Sequence, residues 1–257
     1  MQSLNSHLFF NELGTLFYYL RKQGFQFPKV FPRYRNKPVL SEMSIMDLFT
    51  GWRDGDKLCF KILILLNRLL FDAQKNLDPD KFTIVDKAFC SFLKGKGKNV
   101  CGLVGQLITL NYMTSCESYN CICMEPPTGW SHNEVELVLE KPNTECRRFV
   151  TVSNLFLTIQ VLKDRGNLTQ FLRAEIAKPR FERTIGVKRN LDDIYTFVLW
   201  MEPSLLRYLM TYPTEERIPD DFPPSVRILS WRVRSASGMP PQISYGLSNY
   251  YKQVISP

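Results

Sequence analysis

Along the first 115 residues, apolar positions recur at three- and four-residue spacing, the period that lays one face of an α-helix against a core. Leu8, Phe9, Leu13, Leu16, Phe17 and Leu20 form the first such stripe, and Gly24 with Pro28 ends it. Ser41 or Ser44 can accept from free backbone amides and so start a short helix through Phe49. Residues Lys57 to Asp72 are apolar almost all round, which predicts a helix packed on several sides. Asp80 is placed to cap a helix carrying Phe82, Val85, Phe89 and Phe92 on one face, and Lys94-Gly95-Lys96-Gly97-Lys98 breaks that helix. A further helix from about Asn99 to Tyr112 presents Leu103, Leu107 and Leu110.

The period then changes. Glu134 to Glu140 partly alternates charged and aliphatic residues, and Phe149 to Val161 is rich in Val, Thr, Phe and Ile, so both read as strands. Lys141-Pro142-Asn143-Thr144 between them is turn chemistry, which predicts an antiparallel hairpin. Asn167 caps a helix that ends before Pro179, and Asn190 with Asp192 and Asp193 opens another. Pro203 suits the first position of a renewed helix carrying Leu205, Leu206, Leu209 and Met210. The last 45 residues hold 7 of the 16 prolines. Proline donates no hydrogen bond, so this region reads as irregular with one strand around Val226 to Val233. Trp231, Tyr245, Tyr250 and Tyr251 would fasten it to the body. The pattern as a whole predicts an α+β fold: a helical first half packed on a small antiparallel sheet, with an irregular proline-rich C-terminal region. It reads as one compact domain over residues 1–257, with a soft boundary near 165–190.

Composition narrows the class. With 257 residues, 44% hydrophobic and 23% charged, the chain is an ordinary globular one and neither disordered nor collagenous. The longest apolar run, Leu58 to Phe71, is interrupted by Lys61, Asn67 and Arg68 and falls short of the roughly 20 residues a bilayer span requires, so no transmembrane segment is expected. Seven cysteines at irregular spacing, with no cleavable leader, suggest reduced thiols and an intracellular location, cytoplasmic or virion-associated.

Net charge is +8, a balance that favours phosphate-rich partners. The excess is diffuse, with sixteen basic and eleven acidic side chains in residues 1–125, yet one stretch concentrates it. From Arg21 to Lys37 there are six cations (Arg21, Lys22, Lys29, Arg33, Arg35, Lys37), no acid, and four interleaved rings (Phe25, Phe27, Phe31, Tyr34). Cations that neutralise phosphates beside rings that stack on bases or enter a headgroup layer suit nucleic acid, nucleoprotein or an anionic membrane. The alternative is a surface segment whose rings anchor it to the core. Lys94, Lys96 and Lys98 add ammonium groups before a helix start, a geometry that can hold an anion. It is not a P-loop, since Phe92 and Asn99 stand where glycine and serine or threonine are needed.

Cys116, Cys121, Cys123, His132 and Cys146 are the soft-ligand residues that cluster in sequence. They lack the CxxC and HxxxH pairs that bring two zinc donors together, but on a regular strand Cys121 and Cys123 would share a face. Buried free thiols are the competing reading, and no metal or cofactor is expected. With two histidines and no nucleophile elbow, metalloprotease helix or dinucleotide glycine motif, the chain reads as non-catalytic. The alternative is a metal-dependent enzyme acting on nucleic acid through a carboxylate pair: Asp54/Asp56, Asp78/Asp80, Asp192/Asp193 or Asp220/Asp221. Helix caps and solvated loops account for the same pairs.

From about residue 55 to 165 the order of features resembles the core of rhabdovirus-type matrix proteins. The residues concerned are Cys59-Phe60-Lys61-Ile62-Leu63 opening an apolar helix, Gly102-Leu103-Val104 in a second, and Glu134 to Glu140 with Leu155 to Val161 as paired strands. The resemblance implies a non-enzymatic, self-associating protein that meets anionic membrane and nucleoprotein through basic surfaces. The chain has no Pro-Pro-x-Tyr motif.

Overall fold

The computed structural model describes residues 13–31, 39–94, 99–125, 135–144, 147–161, 168–177, 194–201, 225–234 and 240–247. Its helices are α1 (Gly14–Lys22), α2 (Ile45–Arg53), α3 (Lys57–Asn76), α4 (Phe82–Lys94), α5 (Val100–Ser115) and α6 (Leu168–Ile176), with 3-10 turns at Leu40–Glu42 and Pro79–Lys81. Strands β1 (Asn120–Met124), β2 (Leu137–Glu140), β3 (Arg147–Leu157), β4 (Ile194–Met201), β5 (Val226–Arg234) and β6 (Gln242–Leu247) form one sheet in sequence order.

The helices begin where local chemistry says they should. Ser44 and Asp47 close a reciprocal box at the start of α2, Asp47 N–H donating to Ser44 Oγ and Ser44 N–H to Asp47 Oδ2. Asp56 accepts from the amides of Leu58 and Cys59 to open α3, and Asn99 accepts from Gly102 to open α5. α3 runs one turn past Asp72 to Asn76 and is buried on several sides, from Cys59 through Ala73. Its polar Asn67 is used: Oδ1 accepts from Leu16 N–H, one of the donors that the start of α1 leaves unpaired. Asp80 does not cap α4. It lies exposed within the 3-10 turn headed by Pro79, and that turn leads directly into the helix.

α5 is buried nearly all round because it lies between α3 and the sheet, touching β1, β3, β4 and β6. At Gly105 the approach to β3 is so close that a Cβ would come within 2.6 Å of Asn154 Oδ1. That oxygen accepts from Trp200 Nε1 at 2.8 Å, so the polar side chain between helix and sheet is paired.

The hairpin β2–β3 has the expected antiparallel register, Glu140 opposite Arg147. The sheet as a whole is neither small nor antiparallel. It has six strands, and β3–β4 and β4–β5 are parallel while β1–β2, β2–β3 and β5–β6 are antiparallel. The helix foreseen after Asn190 is the strand β4 over residues 194–201. Its run IYTFVLWM is buried on both faces, and a strand covered on both sides by other layers shows no polar alternation. The C-terminal region is not wholly irregular either: β5 matches the expected strand, and β6 follows Pro240-Pro241 onto the sheet edge, where a missing donor costs least. The helix carrying Leu205 to Met210 lies outside the described residues, as do Leu8 and Phe9.

The sheet divides two apolar clusters. Val150, Val152, Ile194, Val198, Trp200 and Leu229 face helices α1 to α5 in the larger one. Leu155, Leu157, Tyr195, Phe197, Leu199 and Ile228 face α6 through Phe171 and Leu172 in the smaller.

Candidate functional site

The basic stretch is launched by a local device. α1 ends on Arg21 and Lys22, cations that suit the negative end of the helix dipole. Gly24 then takes φ +69°, its N–H bonding Arg21 O while Phe25 N–H bonds Leu20 O, the paired pattern of a left-handed glycine stop. The chain leaves without regular secondary structure over residues 25–28. Rings then pin it down. Phe27 meets Phe49 edge-on at 4.9 Å and Phe25 at 5.2 Å, and Phe31 lies 6.1 Å from Phe27.

Lys22 and Phe31, both expected contact residues, are engaged by other parts of the fold. Phe31 is half-buried, with the Arg53 guanidinium 5.5 Å from its ring and Arg53 Nη1 donating to its carbonyl at 3.1 Å. Lys22 donates to Asp86 at 2.5 Å, and this hydrogen bond raises the lysine's pKa. What remains outward is mixed. Tyr18 is 53% exposed, Phe27 36% and Val30 83%, with Arg21 and Lys29 exposed beside them. Lys94 is exposed at the end of α4. Arg33, Arg35, Lys37, Lys96 and Lys98 lie outside the described residues.

The soft-ligand and carboxylate readings find little geometry. A bulge between Cys121 and Cys123 breaks the two-residue period that was to place both thiols on one face. Cys121 is buried, Cys123 half-buried and Cys116 exposed; burial pushes the Cys121 thiol up to about 12. His132 and Cys146 lie outside the described residues, among which no three His, Cys, Asp or Glu side chains converge. Asp54 pairs with Arg53, Asp56 caps α3, and Asp78 lies 3.6 Å from Lys81. The pairs Asp192/Asp193 and Asp220/Asp221 lie outside the described residues.

Sequence reasoning missed a second feature. At the carboxyl ends of the parallel strands β3 and β4, a cleft of about 460 Å³ opens between the sheet and the 3-10 turn at Leu40. Val39, Leu40, Leu58, Leu157 and Met201 give it an aliphatic lining. Phe156, Trp200 and Trp231 add rings, with Phe156 and Trp200 stacked at 5.8 Å and Trp200 and Trp231 edge-on at 5.2 Å. Ser41 and Thr158 supply hydroxyls; Thr158 Oγ1 accepts from Val161 N–H. The position has a sequence-level signal only after topology is known, since open sheets bind ligands beyond the carboxyl ends of parallel strands.

No described helix is long and apolar enough to cross a membrane. No family model matches the sequence, and neither the curated proteins nor the solved structures hold a match to it.

Proposed function

We propose that this chain is a non-catalytic interaction protein that docks on an anionic membrane surface through the segment following α1. The observation that carries the reading is Val30, an aliphatic side chain 83% exposed and adjacent to the exposed Lys29. An apolar tip flanked by cations suits a headgroup layer, where the tip enters the acyl boundary and the cations meet lipid phosphates. Base stacking has less support here. Phe25, Phe27 and Phe31 are spent on each other, on Phe49 and on Arg53, and valine offers no π-face to a base. The resemblance to rhabdovirus-type matrix proteins points the same way, and self-association on the bilayer belongs to the same proposal.

The test is co-sedimentation with vesicles of phosphatidylcholine alone or with phosphatidylserine added. Binding is expected only with the anionic lipid and should weaken as salt rises. Val30→Asp should reduce it tenfold or more, and Lys29→Ala about fivefold, the equivalent of about 1 kcal/mol per cation at the surface. Equal binding to both vesicle types would sink the reading. So would salt-dependent binding to single-stranded RNA with none to vesicles, which would move the assignment to nucleic acid.

A further inference from the structure

The cleft beyond β3 and β4 has no part in the membrane reading, and its chemistry is different. We propose that it is a binding site for a long unbranched acyl chain, held by its hydrocarbon part. Its volume, about 460 Å³, lies within the range of roughly 300–1,000 Å³ typical of small-molecule sites. Eight of its ten lining residues are apolar, the other two carry neutral hydroxyls, and none is charged. An ionised group taken inside would lose its hydration with no countercharge, so a charged head must stay at the mouth while the apolar remainder enters.

The walls decide between a chain and a flat ring system. Phe156, Trp200 and Trp231 pack on one another, stacked and edge-on, and Trp200 is buried, so these rings are committed to each other. A planar ligand would find no open slot between parallel rings. The rest of the lining is aliphatic, from Leu40, Leu58, Leu157 and Met201, and suits a flexible chain that makes many small dispersion contacts. Val39, 65% exposed, belongs to this lining while still meeting solvent, which places it at the rim. The same chain chemistry is carried by a free fatty acid and by the tail of a bilayer lipid.

Trp200 and Trp231 report directly on occupancy. The full-length protein is titrated with hexadecanoate brominated near its methyl end, below the concentration at which it forms micelles, and tryptophan fluorescence is followed. Saturable quenching is expected, with affinity falling about fourfold for each methylene removed across the C16, C14 and C12 chains. Ser41→Phe, which narrows the cleft, and Val39→Asp, which charges its rim, should each weaken binding at least tenfold. Val39 is exposed, so its variant keeps the fold even if the Ser41 variant does not. A parallel arm uses a short-chain phosphatidylcholine brominated near its tail ends and kept below its micelle concentration; quenching there that Val39→Asp abolishes assigns the chain to a lipid tail, and quenching by the free acid alone assigns a fatty acid. Absence of saturable quenching in both arms overturns the proposal, as does affinity independent of chain length or unchanged in Val39→Asp. Because Val30 and Lys29 are not part of the cleft, Val30→Asp should leave binding of the free acid intact, which separates this inference from the membrane reading.

Discussion

Helices α2, α3 and α5 each open on a side chain two or three residues from the amide it serves: Ser44, Asp56 and Asn99. The later strands are fastened from far along the chain. Trp200 on β4 donates to Asn154 across 46 residues, Arg227 on β5 grips Glu117 across 110, and Tyr245 on β6 donates to Asp72 across 173. Asp72 Oδ2 also accepts from Arg68, so one buried carboxylate joins α3 to the sheet edge. The helical layer is thus specified by neighbours in sequence and stabilised by apolar burial. β5 and β6 depend on polar partners, Glu117 just after α5 and Asp72 on α3, that are in place only once that layer is built.

Four measurements break or sharpen this contrast. Phe89 is fully buried and meets Tyr19 at 5.5 Å, so Phe89→Ala should cost about 3–5 kcal/mol in urea unfolding and destabilise both regions together. A loss below about 1 kcal/mol would show that the helical core is not the foundation. Glu117→Ala removes the carboxylate partner of the half-buried Arg227 guanidinium, which keeps its bond to Val226 O, and should cost about 2 kcal/mol. Its effect on amide exchange is the sharper readout: β5 and β6 should lose protection before α3 and α5, and equal loss in both would erase the distinction.

Alkaline pH tests a distant tie inside the helical layer. Cys101 donates its thiol proton to Leu40 O at 3.1 Å, and burial pushes the thiol up to about 12 from an ordinary 9.0. The folded chain keeps this proton while the unfolded chain releases it, so the contribution is complete below about pH 9 and fades as pH rises toward 12. Between about pH 8 and 10.5 the wild type should lose roughly 2 kcal/mol more than Cys101→Ala, and parallel pH profiles would contradict the assignment. The smallest effect belongs to a local cap. Asp56→Ala should cost about 1 kcal/mol, with faster exchange confined to the first turn of α3.

This division explains what could be read in advance. The cap at Ser44 and the turn at Lys141 to Thr144 are short-range chemistry, visible in any window of a few residues, whereas Asp80 has the right residue type for a cap but sits inside a 3-10 turn. β4 was hidden because a strand covered on both faces has no period of two, and the acids before it imitate the start of a helix. β6 was hidden behind two prolines that exclude a central strand but permit an edge. In the basic stretch, composition identified the cations and rings but not their partners, since Asp86 and Arg53 lie 64 and 22 residues away from Lys22 and Phe31. The cleft draws its walls from residues 39–41, 58, 156–158, 200–201 and 231, and nothing in a linear pattern joins those positions.

The six strands lie side by side in the order in which they are synthesised. A nascent chain that has released residue 115 already holds the helices against which the sheet will rest, and each strand emerging afterwards meets an open edge formed by the one before it. Among the described strands none must be inserted between two that have already paired, so assembly on the ribosome can proceed as a one-way accretion. A circular permutant opening between α5 and β1, with residues 1 and 257 joined by a linker, would have to make the sheet before its platform; it should therefore refold from denaturant more slowly than the parent and shed more material as aggregate at equal concentration.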